Sequence, residues 1–287
     1  MSGDYQHIRY EVLNGVAHIT LSRPDKLNAL GMGPGSSRTE IAAALSEADR
    51  DDQVGAILLC AEGRAFCAGG DLSGLPPTET PLEEHLFNEE ILRFYATFRA
   101  LHKPVVAAVN GLCLGAGLGM LVQCDLVVAA DDARFGLIEG RIGHPGASEL
   151  VPVIGAQWAK FLILTGELID AETAREIGLV FSVVPVLTLD ARAADLAERI
   201  ARLPREGVLL NKACIDAMTD VMGRSAGRLV GRAIDTTTKG MGRFALAPDG
   251  RTFEEILRSE GVAGIKQARD AQFKGSWLEP RPKRNET

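Results

Sequence analysis

The sequence predicts an α/β protein: a parallel sheet built from strand, glycine loop and helix units, followed by a helical C-terminal third. Three observations carry this. Short apolar runs recur at 54–60, 104–110, 125–130 and 179–184 without polar alternation, as in strands buried on both faces. Each of the first three runs leads through glycine-bearing residues into a helical pattern. From about residue 188 the strands stop, and Ala-, Arg- and Leu-rich stretches follow one another.

Taken in order, Ile8, Tyr10 and Val12 alternate on one face ahead of Asn14-Gly15, and Val16–Leu21 follows. Asn-Gly between two such runs predicts a hairpin, because both turn positions need positive φ. After the loop 23–30, residues 37–50 place Ile41, Leu45 and Ala48 at helical spacing. The run 54–60 then leads through a glycine loop (63–70) to a helix over 82–101. The run 104–110 leads through a second glycine loop (111–117) to another helix. The run 125–130 leads through Phe135-Gly136 to a helix near 146–154, and 179–184 closes the series. Helices are expected over 188–203, 206–222, 225–243 and 252–273. The polar tail 275–287 holds two prolines and should fray. The expected division is a core over 1–205, a helical region over 206–274 and the tail.

Composition sets the limits. With 287 residues, 46% of them apolar, the chain can bury a sizeable core. Its 31 Lys and Arg against 38 Asp and Glu give a net charge of −7, which argues against nucleic acid as a partner. Five scattered cysteines form no C-x-x-C pair, so neither a zinc site nor a disulfide scaffold is expected. The first residues show no apolar leader, and no run of about 18 apolar residues follows. The expectation is a cytoplasmic chain with no membrane partner.

The glycine loops need a chemical account. Residues 115–119 read GAGLG, but no G-x-G-x-x-G fits there, and no Gly-Lys pair exists for a phosphate loop. No H-E-x-x-H motif is present. Glycine loops lying between a strand and a helix can instead present backbone N–H groups. Two of them could aim one N–H each at a single oxygen, as an oxyanion hole does. The plainer alternative is that the glycines only make tight turns.

Several ordered segments carry a resemblance. They are Arg23–Leu30 (RPDKLNAL), Ala65–Leu72 (AFCAGGDL), Lys103–Gly111 (KPVVAAVNG), Leu114–Gly117, Cys124-Asp125 and Phe135-Gly136. Leu164-Thr165-Gly166, Ala174, Gly178-Leu179-Val180 and Gln272-Phe273-Lys274 continue the series. In this order and spacing, over roughly 8–274, the chain resembles the crotonase (enoyl-CoA hydratase/isomerase) family. The resemblance implies a crotonase-like spiral of ββα units with a helical C-terminal oligomerisation region. It implies a homotrimer or hexamer, and an acyl-CoA substrate whose coenzyme A is part of the thioester rather than a bound cofactor. It places the oxyanion donors on the N–H groups of Gly70 and Ala116, and the adenine-reading backbone at Ala68. Lys26 and Leu27 become further coenzyme A contacts.

Hydratases of the family carry two glutamates. The first falls on Gly119 and is missing; the second falls on Glu139 and is present. Without the resemblance, Glu139 would be read as an ordinary loop carboxylate. One carboxylate suits a 1,3-proton shift better than hydration, because a single base can remove a proton at one carbon and return it at another. The expected order is therefore enoyl-CoA isomerisation, then hydration, then decarboxylation or C–C cleavage of a CoA ester. From another class, the chain could bind acyl-CoA or a protein partner without turnover. A glutamate restored at 119 is expected to raise hydration. His144 is a candidate to orient water or a polar substrate group, whereas Asp71 and Asp125 read as structural. The acyl pocket is expected to draw on 73–100, with Leu75, Phe87, Ile91, Phe94 and Tyr95 as candidates.

Overall fold

The computed structural model describes residues 5–74, 80–144, 146, 148–242 and 245–278. The chain begins with the expected hairpin. Strands β1 (Ile8–Leu13) and β2 (Val16–Leu21) pair antiparallel, with Leu13 opposite Val16. Asn14 and Gly15 turn between them at φ +51° and +77°. Helix α1 (Ser37–Arg50) follows and buries Ile41, Ala44, Leu45 and Ala48.

Three times the chain then lays down two strands and a helix. The units are β3 (Ala56–Ala61), β4 (Ala65–Cys67) and α2 (Pro81–Arg99); β5 (Val105–Val109), β6 (Leu112–Leu114) and α3 (Ala116–Leu121); and β7 (Leu126–Ala130), β8 (Arg134–Gly136) and α4 (Val151–Thr165). Strand β9 (Leu168–Asp170), helix α5 (Ala171–Glu176) and strand β10 (Ser182–Val184) close the core. Helices α6 (Leu189–Ala201), α7 (Arg205–Val221), α8 (Arg224–Gly242) and α9 (Phe253–Asp270) complete the chain.

The first strand of each unit joins a six-stranded sheet in the order β1-β2-β3-β5-β7-β10, parallel from β2 onward. The second joins a four-stranded sheet, β4-β6-β8-β9, whose last pair is antiparallel. This is a ββα spiral. The unbroken apolar runs are explained by what covers each face. Ala56, Leu58, Val106, Ala108 and Val128 pack with Leu189, Ala193 and Ala197 of α6. Ile57, Leu59, Val105 and Ala107 belong to the main core with Ile41 and Leu45 of α1. Leu59 and Phe66 are fully buried, so truncating either to Ala is expected to cost about 2–5 kcal/mol.

Two sequence expectations need correction, and a third falls outside the described residues. The glycine loops at 63–70 and 111–117 contain β4 and β6, three-residue strands too short to show a period. The helix placed near 146–154 begins later. A 3-10 turn over Ser148–Leu150 precedes α4, and Gly155, at φ +75°, kinks the helix. Leu75 and the last nine residues of the tail lie outside the described residues. Among the described residues, no helix is long and apolar enough to cross a membrane, and no group of three or more metal-ligating side chains forms.

Two details set up the site. Thr80 and Glu83 form a reciprocal capping box around Pro81, fixing where α2 starts. Phe94 and Phe98 then turn into the core, and Tyr95 comes to line a cavity. At Gly117 an added Cβ would lie 2.6 Å from the Cys67 carbonyl oxygen, so α3 can rest directly on β4 only because residue 117 has no side chain.

Candidate active site

A cavity of about 800 Å³ opens between the two glycine loops, α2 and α9. Lys26, Leu27, Ala68, Gly70, Ala116 and Glu139 all line it. Residues up to 113 positions apart in the chain are thus brought to one space.

The first loop is held by a short ladder. Leu30 N–H donates to the Gly69 carbonyl (2.8 Å), Asp71 N–H to the Leu30 carbonyl (2.9 Å) and Ala68 N–H to the Leu27 carbonyl (3.0 Å). The facing strand is itself clamped. Asn28, left-handed at φ +53°, donates to the carbonyls of Glu62 and Ala65 and accepts from Arg23 N–H. Arg23 then reaches the Asp71 carboxylate at 2.9 Å, and Asp71 also accepts from Ser73. Asp71 is therefore the turn acceptor its position suggested. Its carboxyl is held below the usual range, the bonds from Ser73 and Arg23 outweighing its partial burial. Within this ladder the Gly70 N–H has no acceptor among the described residues.

In the second loop, Gly115 N–H donates to the Gly136 carbonyl at 2.9 Å, which ties the turn to β8. Ala116 is the first residue of α3, so its N–H has no partner within the helix. The loops are adjacent: a Cβ built on Gly69 would stand 3.8 Å from the Ala116 nitrogen. Two unsatisfied N–H groups thus face one cavity from neighbouring turns.

Glu139 sits in a 3-10 turn, Ile138–Ile142, with its carboxyl against the second loop. Its Oε2 lies 3.0 Å from where a Cβ on Gly115 would be, so a glycine there makes room for it. Oε2 is buried and has no hydrogen-bond partner among the described residues. Burial pushes the carboxyl up to about 7, with a backbone hydrogen bond and the Arg269 charge opposing. A carboxyl near 7 is poised to take and to return a proton at neutral pH. The His144 N–H donates to the Glu139 carbonyl at 3.1 Å, and His144 lines the same cavity.

At position 119 the structure adds a residue whose role the sequence did not assign. A Cβ on Gly119 would stand 2.7 Å from Tyr95 Oη. The Tyr95 hydroxyl occupies that space and donates to the Ala116 carbonyl at 3.1 Å. Burial holds its phenol far above the ordinary value, so it keeps its proton. A glutamate at 119 cannot simply be restored, because Tyr95 would have to move. Of the other acyl-pocket candidates, Phe87 and Ile91 line the cavity, whereas Phe94 is buried against Phe98.

Sequence reasoning also passed over five cations on the cavity wall, Arg38, Arg64, Arg228, Lys266 and Arg269. Arg64 and Lys266 are exposed, as is Lys26, so an acidic chain presents a positive rim here. No local motif links position 64 to α9, and only the fold brings them together. Such a rim suits the phosphates of coenzyme A.

The comparisons with known proteins bear on this arrangement. Residues 11–234 match the model of the enoyl-CoA hydratase/isomerase family. The chain belongs to that family. An enoyl-CoA hydratase/isomerase from Xanthobacter autotrophicus Py2 has a similar structure, with a TM-score of 0.86 and 32% identity, covering 94% of this chain and 100% of that one. The mitochondrial enoyl-CoA hydratase of Pongo abelii is 32% identical over 265 residues, 91% of this chain and 84% of its own. The 1,2-epoxyphenylacetyl-CoA isomerase of Escherichia coli K12 is 33% identical over 247 residues, 80% of this chain and 92% of its own. The protein is accordingly an acyl-CoA enzyme with the crotonase-type α/β fold. Family membership leaves the reaction open between lyase and isomerase.

Proposed function

We propose that this protein shifts the double bond of an enoyl-CoA, with Glu139 as the sole proton carrier. The thioester carbonyl oxygen lies between the N–H groups of Gly70 and Ala116. Glu139 takes a proton from C2 of a 3-enoyl-CoA, and the negative charge spreads to the thioester oxygen as a dienolate. The same carboxyl returns the proton to C4, leaving the double bond between C2 and C3. Nothing is consumed and no cofactor is required; coenzyme A enters as part of the substrate. Two preorganised donors act where the charge develops, and each is worth about 3–4 kcal/mol of barrier.

The observation that carries this reading is at position 119: it is Gly, and Tyr95 Oη fills the adjoining space. The carboxyl at the glycine turn is then Glu139 alone. Glu149, the other glutamate on the cavity wall, is engaged by Gln123 at 2.8 Å and by Arg228 at 3.4 Å. Hydration is the second reading, supported by the several relatives named enoyl-CoA hydratase. The deciding experiment measures isomerisation of 3-enoyl-CoA and hydration of 2-enoyl-CoA on esters of matched length. Isomerisation is expected to exceed hydration by about tenfold or more. Hydration at an equal or higher rate would reverse the order.

The active unit is a trimer or a dimer of trimers. Helix α7 buries none of its residues. Leu210, Met218, Val221 and Met222 at its surface and Leu229 and Val230 on α8 are all more than half exposed. An uncovered face of this kind calls for a partner surface. Sedimentation at micromolar concentration is expected to give a trimer or larger; a species of one 30.7 kDa chain would overturn it.

A further inference from the structure

Arg38, in the first turn of α1, lines the cavity with only 4% of its surface exposed. Charged side chains are rarely buried to this degree without an opposite charge. Arg38 makes no ion pair among the described residues. All its hydrogen bonds run through Nη1, to the carbonyls of Leu30 (3.0 Å) and Gly31 (2.9 Å) and toward the Met32 sulfur. These contacts anchor the turn at 30–32 and use one nitrogen of three. Nε is buried without a partner among the described residues. The Phe94 ring, 5.9 Å from the guanidinium carbon, offers its face but no formal charge.

Two other guanidiniums near the cavity, buried Arg224 and half-buried Arg228, are differently placed. Arg224 and Arg228 both approach Glu149. The charge nearest Glu139 in effect is Arg269, so Arg38 is not its counter-ion. Arg38 instead acts on the Tyr95 phenol more strongly than any other charge does. The Phe94 ring beneath Arg38 packs against Tyr95 at 5.4 Å between centroids, and Tyr95 Oη fills the space at Gly119. Arg38 therefore lies on the Gly119 side of the Ala116 N–H, the side that the reading above gives to the acyl part. The phosphates of coenzyme A have the exposed Lys26, Arg64 and Lys266 instead.

We propose that Arg38 binds a carboxylate carried by the acyl group, so that the preferred substrates are CoA monothioesters of unsaturated dicarboxylic acids. This rests on reading the cavity as a CoA-thioester site. A planar guanidinium with two nitrogens uncommitted can meet a carboxylate with two parallel bonds, and the incoming anion supplies the charge that the protein does not.

The test compares esters that differ only at the acyl terminus: glutaconyl-CoA against 2-pentenoyl-CoA, and 2-hexenedioyl-CoA against 2-hexenoyl-CoA. Binding is read by calorimetry in Glu139→Gln, which holds either ester without moving its protons. For at least one length the acid ester is expected to bind about tenfold or more tighter than the methyl-ended ester. Arg38→Gln added to that variant should bring the ratio to about one. Equal binding at both lengths overturns the proposal whether or not the Arg38 variant folds, and so does a preference that survives in a folded Arg38→Gln protein. Wild-type kinetics separate this from the reaction assigned above. An acid preference in binding, with no isomerisation of either 3-enoyl isomer, removes the proton shift and keeps Arg38. Isomerisation of both with equal KM does the opposite.

Discussion

The cavity has two walls of unlike construction. One consists of the turns at 68–70 and 114–116 with Glu139: backbone N–H groups and a single carboxyl. The other consists of side chains from α1 and α2, with Arg38, Tyr95 and Ile91. Ladders and sheet bonds fix the first wall, so its donors hold their places whatever acyl group arrives. The second wall comes from helices that can change residues without moving those ladders. The difference teaches that reaction and acyl preference are written in separate parts of the chain.

Changes on the first wall should therefore reduce turnover of every ester. Glu139→Gln keeps the shape and removes the base, and kcat should fall by about 10²–10⁴ in a 3-enoyl to 2-enoyl assay. The same substitution has a pH-dependent effect on stability. With its pKa raised from 4.5 to about 7, the native Glu139 holds more protons than the unfolded chain between those values. Wild-type stability thus falls as pH rises through that window, while Gln does not titrate. Relative to wild type, Glu139→Gln should gain up to about 3 kcal/mol between pH 4 and pH 8, read from urea unfolding. Ala116→Pro removes one N–H at a helix position that accepts proline, and turnover should drop about 100-fold with coenzyme A still bound. Full activity in that variant would detach Ala116 from the oxyanion.

Titration should sharpen the same contrast. Below about pH 7, kcat/KM should fall about tenfold per unit as Glu139 gains its proton, alike for esters of different acyl end. The smallest effect belongs to the boundary between the walls. Gly119→Glu must displace Tyr95 Oη, which should cost about 1–3 kcal/mol in unfolding and yield little hydration. Hydration should emerge only when Tyr95→Ala is combined with it. A single Gly119→Glu variant that hydrates well would show that Tyr95 moves freely.

Much of the first wall was legible in the sequence. The apolar runs gave the large sheet, and RPDKLNAL, AFCAGGDL and the Glu139 segment could be read locally because each keeps its neighbours together. The second wall was legible only in part: Phe87, Ile91 and Tyr95 were expected at the acyl pocket and line it, whereas Arg38 was not foreseen. Tyr95 was expected at the acyl pocket, but only the fold brings its hydroxyl to Gly119. Arg38, the second residue of α1, went unassigned, because no pattern in sequence reports that the turn at 30–32 folds over it. The small sheet was missed for a related reason: its strands stand three residues long among glycines, and their pairing is entirely with distant partners.

The strand order carries a consequence for how the protein is made. Both sheets read outward in chain order, β1-β2-β3-β5-β7-β10 and β4-β6-β8-β9. A chain emerging from the ribosome therefore offers each new strand a neighbour that has already been synthesised, and no strand waits for a later one to fill a gap. At each stage the growing edge of each sheet is the one that the next strand covers, while β1 and β4 stay at the opposite edges. Growth ends at β9 and β10, after the whole first wall of the cavity has been laid down.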